Sequence, residues 1–452
     1  MTNHCFYGLT GKVITPDDPE YEEARQEFNR SIQRFPLAIV YCYDKYDVAN
    51  AVQWAIAFCV PIRIRGGGHH YEGYSTGDGV LVIDISPMTG LSMRDDLLRV
   101  EGGVTNTRLY DYVSTQGYPF PGGTCPTVGV AGFALGGGWG LSCRLFGLGC
   151  DSLTELELVD YTGRILVAND RCNSDLFWAC RGAGGGNFGI VVSMTFRLPP
   201  KTDKVTLIEF FYAETDRDKQ ARYLDAWQRW LAGADERITL LSRIYHAAVE
   251  GFGVSCRGIF YGLPQEAEAM LLPLTGLGGC SLNLSYVTFY EAIKTIEATY
   301  PSSEMFRSAG RFVVRPLDAG EILHTVDLIR DVPEGSLFSA LSLYALGGRV
   351  TETGPFDTAF YFRDAQYILA VQSMWTDARY TEINRLWVGR QFRYIEGITA
   401  GSFVNFPYSG LTDYLTAYFG QNAERLRLVK TAYDPFNVFN FPQSIPPVDC
   451  RE

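Results

Sequence analysis

The sequence predicts an α+β protein of two domains, the first assembled from both ends of the chain and the second inserted between them. Three observations carry this. Residues 1–200 alternate short apolar strands and helices around glycine-rich turns. From Lys201 the chain becomes a run of longer strands separated by helical stretches, and from about Gly401 the glycine- and aromatic-rich style returns. The expected division is 1–200, 201–400 and 401–452, the middle part an antiparallel sheet with helices on one face. A chain of 452 residues is long enough for two such cores.

Taken in order, residues 18–33 (DPEYEEARQEFNRSIQ) open on acidic residues and predict a surface helix. LAIVYCY predicts a buried strand, and DVANAVQWAIAFC (47–59) a helix with apolar residues at helical spacing behind an aspartate N-cap candidate. PIRIR is a strand running straight into GGGHH, VLVIDISPM is another, and VTNTRLYDYVSTQGY is a helix ended by Gly117. LTELELVDYTGRILVA reads as two strands joined at Tyr161-Thr162-Gly163, and GAGGGNFGIVVSMTFRL as a glycine loop feeding a strand that closes the first part at about Pro200. Beyond Lys201, VTLIEFFYA, ITLLSRIYHA, VSCRGIFYGL, SLFSALSLYAL and AQYILAVQSMW are strands, and DRDKQARYLDAWQRWLA is a helix.

A net charge of −12 argues against nucleic-acid and acidic-membrane partners. No segment reaches the roughly 20 apolar residues of a membrane helix, and MTNHCFYGLTGKV lacks the basic-then-apolar pattern of a signal peptide. Eleven scattered cysteines without a CxxC pair point to free thiols in a reducing cytoplasm, although Cys5 and Cys450 are able to pair under oxidation. The acidic surface is compatible with a monomer or a homodimer.

Two glycine-rich loops carry the chemistry. RIRGGGHHYEGYS (63–75) presents His69, and GGTCPTVGVAGFALGGGWG (122–140) presents Cys125. Bare glycine backbone approaches a flat or phosphorylated ligand closely, and successive amides there form an anion-binding nest. A nucleophile at each turn points to a cofactor held covalently as well as bound, and so to redox chemistry. A riboflavin-type ring accepts protein nucleophiles at its 8α-methyl carbon, which suits a neutral imidazole, and at ring carbon six, which suits a thiolate. The two side chains are expected on either side of one such ring. The plainer alternatives stand beside this. His69 and His70 form a metal pair, although no ligand spacing supports one and no metal is expected. Cys125 is a buried apolar thiol, and the glycines merely pack.

RGGGHHYEG, GGTCPTVGVAGFALGGGWG, RLFGLGCDSL, GAGGGNFGIV and the ending YDPFNVFNFPQSIPP together resemble the flavin-linked oxidases of the vanillyl-alcohol oxidase type, which carry a PCMH-type FAD-binding domain. Within them the chain is most similar to the berberine-bridge-enzyme-like group. ALGGRV and FRDAQYILAVQSMW extend the resemblance loosely into the middle part. The resemblance implies FAD attached through His69 and Cys125. It implies further cofactor contacts from Ile64, Arg65, Gly66, Gly67, Gly68, His70, Val128, Gly129, Gly132, Gly136, Gly140, Gly189, Val191, Asn405 and Asn437.

It also implies hydride transfer from a small molecule to the flavin, the leading substrate being an alcohol or hemiacetal carbon of a sugar or secondary metabolite. An alcohol needs a base, and relatives supply tyrosines. One sits in a Y-x-N-Y segment, which here reads Phe403-Val404-Asn405-Phe406; another sits where this chain has Phe146. A polar residue common on the central strand is Ala370 here, with Gln372 two positions along on the same face. Tyr71 and Tyr344 are the candidate bases, with Gln372 beside them. Val128, small and three beyond the cysteine, implies dioxygen as acceptor and hydrogen peroxide as product. An amine oxidase, a dehydrogenase with another acceptor, and a flavoprotein that only binds a ligand are the alternatives.

Overall fold

The computed structural model describes residues 6–448, so Cys5 and Cys450 lie outside the described residues. Three sheets organise the chain. The first holds β1 (Lys12–Ile14), β2 (Ala38–Tyr41), β3 (Ile62–Arg65) and β4 (Leu81–Asp84) in the order β1-β2-β4-β3. Only β1 is antiparallel; β2 and β3 flank β4 in parallel. Parallel neighbours need a crossover, supplied by the helix Lys45–Ala57, which buries Val48, Ala51, Val52, Trp54 and Ala55. Asp44 caps it, accepting from the Tyr46 and Asp47 amides at 2.8 and 2.9 Å.

The second sheet holds β5 (Leu91–Arg94), β6 (Leu97–Glu101), β7 (Leu153–Val159), β8 (Ile165–Asn169) and β9 (Ile190–Arg197) in the order β5-β6-β9-β7-β8, all antiparallel. β7 and β8 join through the expected turn, where the Gly163 amide donates to Asp160 O at 3.0 Å. The helix Asn106–Val113 runs on as a 3-10 turn and stops at Gly117, whose φ of 84° is the left-handed end expected there.

The third sheet is antiparallel and seven-stranded: β10 (Lys204–Tyr212), β11 (Ile238–Ala247), β12 (Gly251–Phe260), β13 (Ser281–Thr288), β14 (Met305–Val313), β15 (Phe338–Ala345) and β16 (Tyr367–Trp375), in the order β13-β10-β12-β11-β15-β16-β14. Alternation splits its residues between two faces. Tyr212, Ser242, Tyr367 and Ser373 meet the helices Arg217–Ala232, Pro264–Thr275 and Thr381–Ile398, through bonds such as Tyr223 to Ser242 at 2.7 Å and Ser373 to Asn384 at 2.7 Å. Arg243, Ser342, Tyr344, Gln372 and Ser308 point the other way, toward the first two sheets.

One expected element is corrected. Residues 18–33 do not form a helix; only Tyr21–Ala24 turn. Tertiary partners outbid the helix for the backbone and side chains. Phe28 N bonds Gly68 O, Arg30 N bonds Glu304 O, and Asn29 Nδ2 bonds Phe306 O. The segment is a strap joining the histidine loop to the start of β14.

The end of the chain comes back to the first part. In the helix Ala423–Tyr433, Lys430 is fully buried and donates to Asp434 Oδ2 (2.7 Å), Phe439 O (2.7 Å) and Asn187 O (2.6 Å). All three ammonium protons are used, as a buried charge requires. Asn187 Oδ1 also accepts from the Ile445 amide.

Candidate active site

A cavity of about 660 Å³ opens between the three sheets. That size falls in the usual range for small-molecule and cofactor sites, roughly 300–1,000 Å³. His69, Cys125, Tyr71, Tyr344 and Gln372 all line it.

The histidine loop leaves β3 at Arg65, which is anchored by Asp84 (2.5 Å) and Glu27 (3.5 Å). Gly68 then turns with φ of 67°, a conformation costly for other residues. The turn delivers the His69 ring, stacked on Phe28 with ring centres 4.1 Å apart. His69 Nε2 lies 2.8 Å from Thr127 Oγ1, and Nδ1 has no partner among the described residues. Burial pushes its pKa down to about 4, which keeps the imidazole neutral. His70 is likewise held down at about 4 by burial; its Nδ1 accepts from the Glu72 amide and its ring leans on Tyr74.

The cysteine loop is held from both sides. Asn106 Nδ2 donates to Cys125 O, and Thr124 Oγ1 meets Tyr300 OH at 2.7 Å. Cys125 Sγ sits 3.9 Å from the same Thr127 hydroxyl that His69 touches. The two nucleophiles thus converge on one hydroxyl. Burial pushes the Cys125 thiol up, against the pull of the Thr127 hydrogen bonds, so it rests protonated rather than as thiolate.

Below them lies a floor of backbone. A Cβ added to Gly132 would meet nothing within 4 Å, and one added to Gly185 would sit 3.8 Å from Gly132 Cα. Gly66, Gly67, Gly129, Gly184, Gly186 and Gly189 join them along the wall, with Ile64, Val128, Val191 and Asn405. A bare, side-chain-free floor beside two nucleophiles fits a flavin dinucleotide.

Four expected cofactor contacts do not line the cavity. Arg65 is consumed by its carboxylates. Gly136 faces Asn405, and Gly140 packs on Gly122 O, which an added Cβ would meet at 1.9 Å. Asn437 makes a turn with φ of 52° behind the wall. These are packing and folding requirements.

The opposite wall is the face of the third sheet turned away from the helices Arg217–Ala232, Pro264–Thr275 and Thr381–Ile398. Phe406 stands between two phenols, stacked on Tyr71 (5.3 Å, 3° between planes) and tilted against Tyr344 (5.0 Å). Trp139 and Phe306 close the sides. Burial pushes Tyr71 well above the ordinary tyrosine value; Tyr344 is pushed to about 12, with Arg243 pulling against it. Both phenols are neutral at physiological pH. Ser342 Oγ donates to Gln372 Oε1 at 3.4 Å, and Ala370 lies fully buried beside them. Phe146 is turned away and packs on Tyr261. Sequence reasoning missed Arg243, Arg257, Tyr300 and Glu304, which also line the cavity.

Fold and site define a two-domain flavin-binding oxidoreductase. Residues 36–169 match the FAD binding domain family, and residues 402–446 the berberine and berberine-like family. The chain is 36% identical over 448 residues to the uncharacterised FAD-linked oxidoreductase YgaK of Bacillus subtilis, covering 97% of this chain and 98% of that one. The solved BBE-like 1 of Physcomitrella patens superposes with a TM-score of 0.89 at 27% identity, covering 97% of both chains. The glucooligosaccharide oxidase of Acremonium strictum, whose structure reveals a novel flavinylation, superposes at 0.88 with 24% identity, covering 97% and 96%. The chain belongs to the berberine-bridge-enzyme-like family of FAD-linked oxidoreductases.

Proposed function

We propose that this protein is a cytoplasmic oxidase, monomeric or homodimeric, that holds FAD by two covalent bonds, one through His69 and one through Cys125. The observation that carries the reading is the convergence of both side chains on Thr127 at one end of the cavity. When bound, FAD supplies the two-electron acceptor for a hydride. The chain's own part is to present a neutral imidazole with a free Nδ1, lay glycine amides along the cofactor and hold the substrate against the β15–β16 face. The substrate class is an alcohol or hemiacetal carbon of a sugar or secondary metabolite. Tyr344 is the candidate base for the hydroxyl proton, acting as the phenolate that the neighbouring Arg243 cation favours, with Tyr71 across Phe406 and Gln372 as a hydrogen-bonding neighbour. Val128 at the wall leaves room for dioxygen, giving hydrogen peroxide.

Acid precipitation tests the attachment. Yellow colour is expected in the pellet, with His69→Ala and Cys125→Ala each leaving a singly attached form. Colour wholly in the supernatant refutes it. Anaerobic bleaching with sugars, aryl alcohols and amines, then peroxide release in air, tests the activity; bleaching without peroxide marks a dehydrogenase, and no bleaching marks a binding protein. One observation favours amine substrates as second reading: both phenols are neutral, and an amine brings its own lone pair.

A further inference from the structure

Arg243 on β11 and Arg257 on β12 line the cavity from the third sheet. Ladder register puts Arg243 directly beside Ser342, whose hydroxyl bonds Gln372, so the guanidinium adjoins the polar bed under the substrate. Arg243 donates no hydrogen bond to any described residue, and its buried Nε has no partner. Arg257 uses one N–H on Thr299 Oγ1, at 2.6 Å, and makes no ion pair with a described residue. Two carboxylates stand nearby. Glu304 shares the cavity, and Glu209 is opposite Arg257 in the β10–β12 ladder, off the cavity wall. Neither reaches ion-pairing distance of either arginine, and burial pushes the Glu304 carboxyl toward its neutral form.

Both side chains are half-buried at the cavity wall, and a guanidinium whose protein partners leave most of its N–H donors unused is satisfied by an acceptor that arrives from outside. The planar fork of arginine matches a carboxylate with two parallel hydrogen bonds. We propose that the substrate is a hydroxylated carboxylic acid, of the sugar-acid kind, whose carboxylate is held by Arg243 and Arg257 while its hydroxyls lie on Gln372, which the buried Ser342 hydroxyl holds in place. Arg243 and Arg257 are then specificity-determining residues, a deepening that rests on the oxidase reading above.

The test uses the holoenzyme and matched pairs: D-glucuronate with D-glucose, D-galacturonate with D-galactose, and 4-(hydroxymethyl)benzoate with benzyl alcohol. In at least one pair the acid is expected to bleach the flavin with a kcat/KM about tenfold or more above its neutral partner. Arg243→Gln and Arg257→Gln should each raise KM for that acid by about tenfold to a hundredfold, the worth of a charged hydrogen bond, and leave KM for the neutral partner within about twofold. Glu304→Gln should leave the acid preference intact. Neutral members favoured throughout in the wild type would overturn the proposal. So would an equal rise in KM toward acid and neutral substrate in the arginine variants, or an equal loss of acid use in Glu304→Gln, which would mark an internal ion pair. If nothing bleaches the flavin but D-glucuronate shifts its absorbance, and the arginine variants abolish the shift, the acid site stands and the oxidase reading falls. No bleaching and no shift with any acid overturns both.

Discussion

Thr127 belongs to no charged cluster, yet both candidate nucleophiles touch its hydroxyl. When His69 Nε2 carries the proton and donates to Thr127, Nδ1 offers its lone pair; removing the hydroxyl frees the ring to hold the wrong tautomer. Thr127→Val is expected to slow attachment at His69 about fivefold to tenfold, the worth of one hydrogen bond, read by mass spectrometry of the flavin peptide over time. The two attachments should part company with pH. The nucleophilic imidazole is the neutral form, and with a pKa of about 4 it stays neutral down through mildly acidic solution, so its rate is flat there. The Cys125 nucleophile is the thiolate, and burial raises its pKa, so its rate climbs about tenfold per pH unit through neutrality. A flat profile for both would contradict this. At this scale the place of His69 and Cys125 on the cavity wall was legible, because each stands inside its own local glycine frame. Arg243, Arg257 and Glu304 were not: the two arginines reach the cavity through the register of one hairpin, and Glu304 joins them from the distant segment before β14. Nor does a glycine announce its reason, which is why Gly136 and Gly140 read as cofactor contacts and turn out to be packing.

Among elements, the helix Ala423–Tyr433 has the most to lose. Lys430→Met leaves Asp434 buried without its partner, and Asp434→Asn leaves the ammonium so; either is expected to cost about 3–5 kcal/mol, seen as a lowered unfolding midpoint. The histidine loop carries a pH dependence of its own. His70 is lowered from 6.5 to about 4, so the unfolded chain binds the extra proton first, and stability is lost as pH falls through that window. His70→Asn should flatten the fall in stability there, worth at most about 3 kcal/mol across the window. Elements with a clean period were readable, such as the helix Lys45–Ala57 and strands β15 and β16. The strap at 18–33 has helical composition but spends its backbone on Gly68 and Glu304. β14 escaped notice because Arg307 and Arg311 interrupt its apolar run; both are buried, Arg307 against Glu72 and Arg311 on Ser402.

For the molecule as a whole, the joint between histidine loop and third sheet is ionic. Glu72 pairs with Arg307, accepts from the Ser409 amide and attracts Arg385 at 3.7 Å. Tyr71 rides on that joint one residue away. Glu72→Gln should lower turnover while leaving flavin content near wild type, measured by kcat per bound flavin; loss of flavin in proportion to activity would place Glu72 with the cofactor instead. The two-part plan of the chain was readable from the change of style near Lys201 and its return near Gly401. The face of the third sheet that meets the cavity was not, since strand alternation alone does not say which side the helices take.

Lys430 reaches back 243 positions to the carbonyl of Asn187 at the end of the glycine floor. A ribosome makes that floor well before its lock. Nascent chains arrested before Lys430 is exposed should therefore emerge colourless in the presence of FAD, while released full-length chains take it up. Cofactor uptake is then expected to follow, not precede, formation of the Ala423–Tyr433 helix.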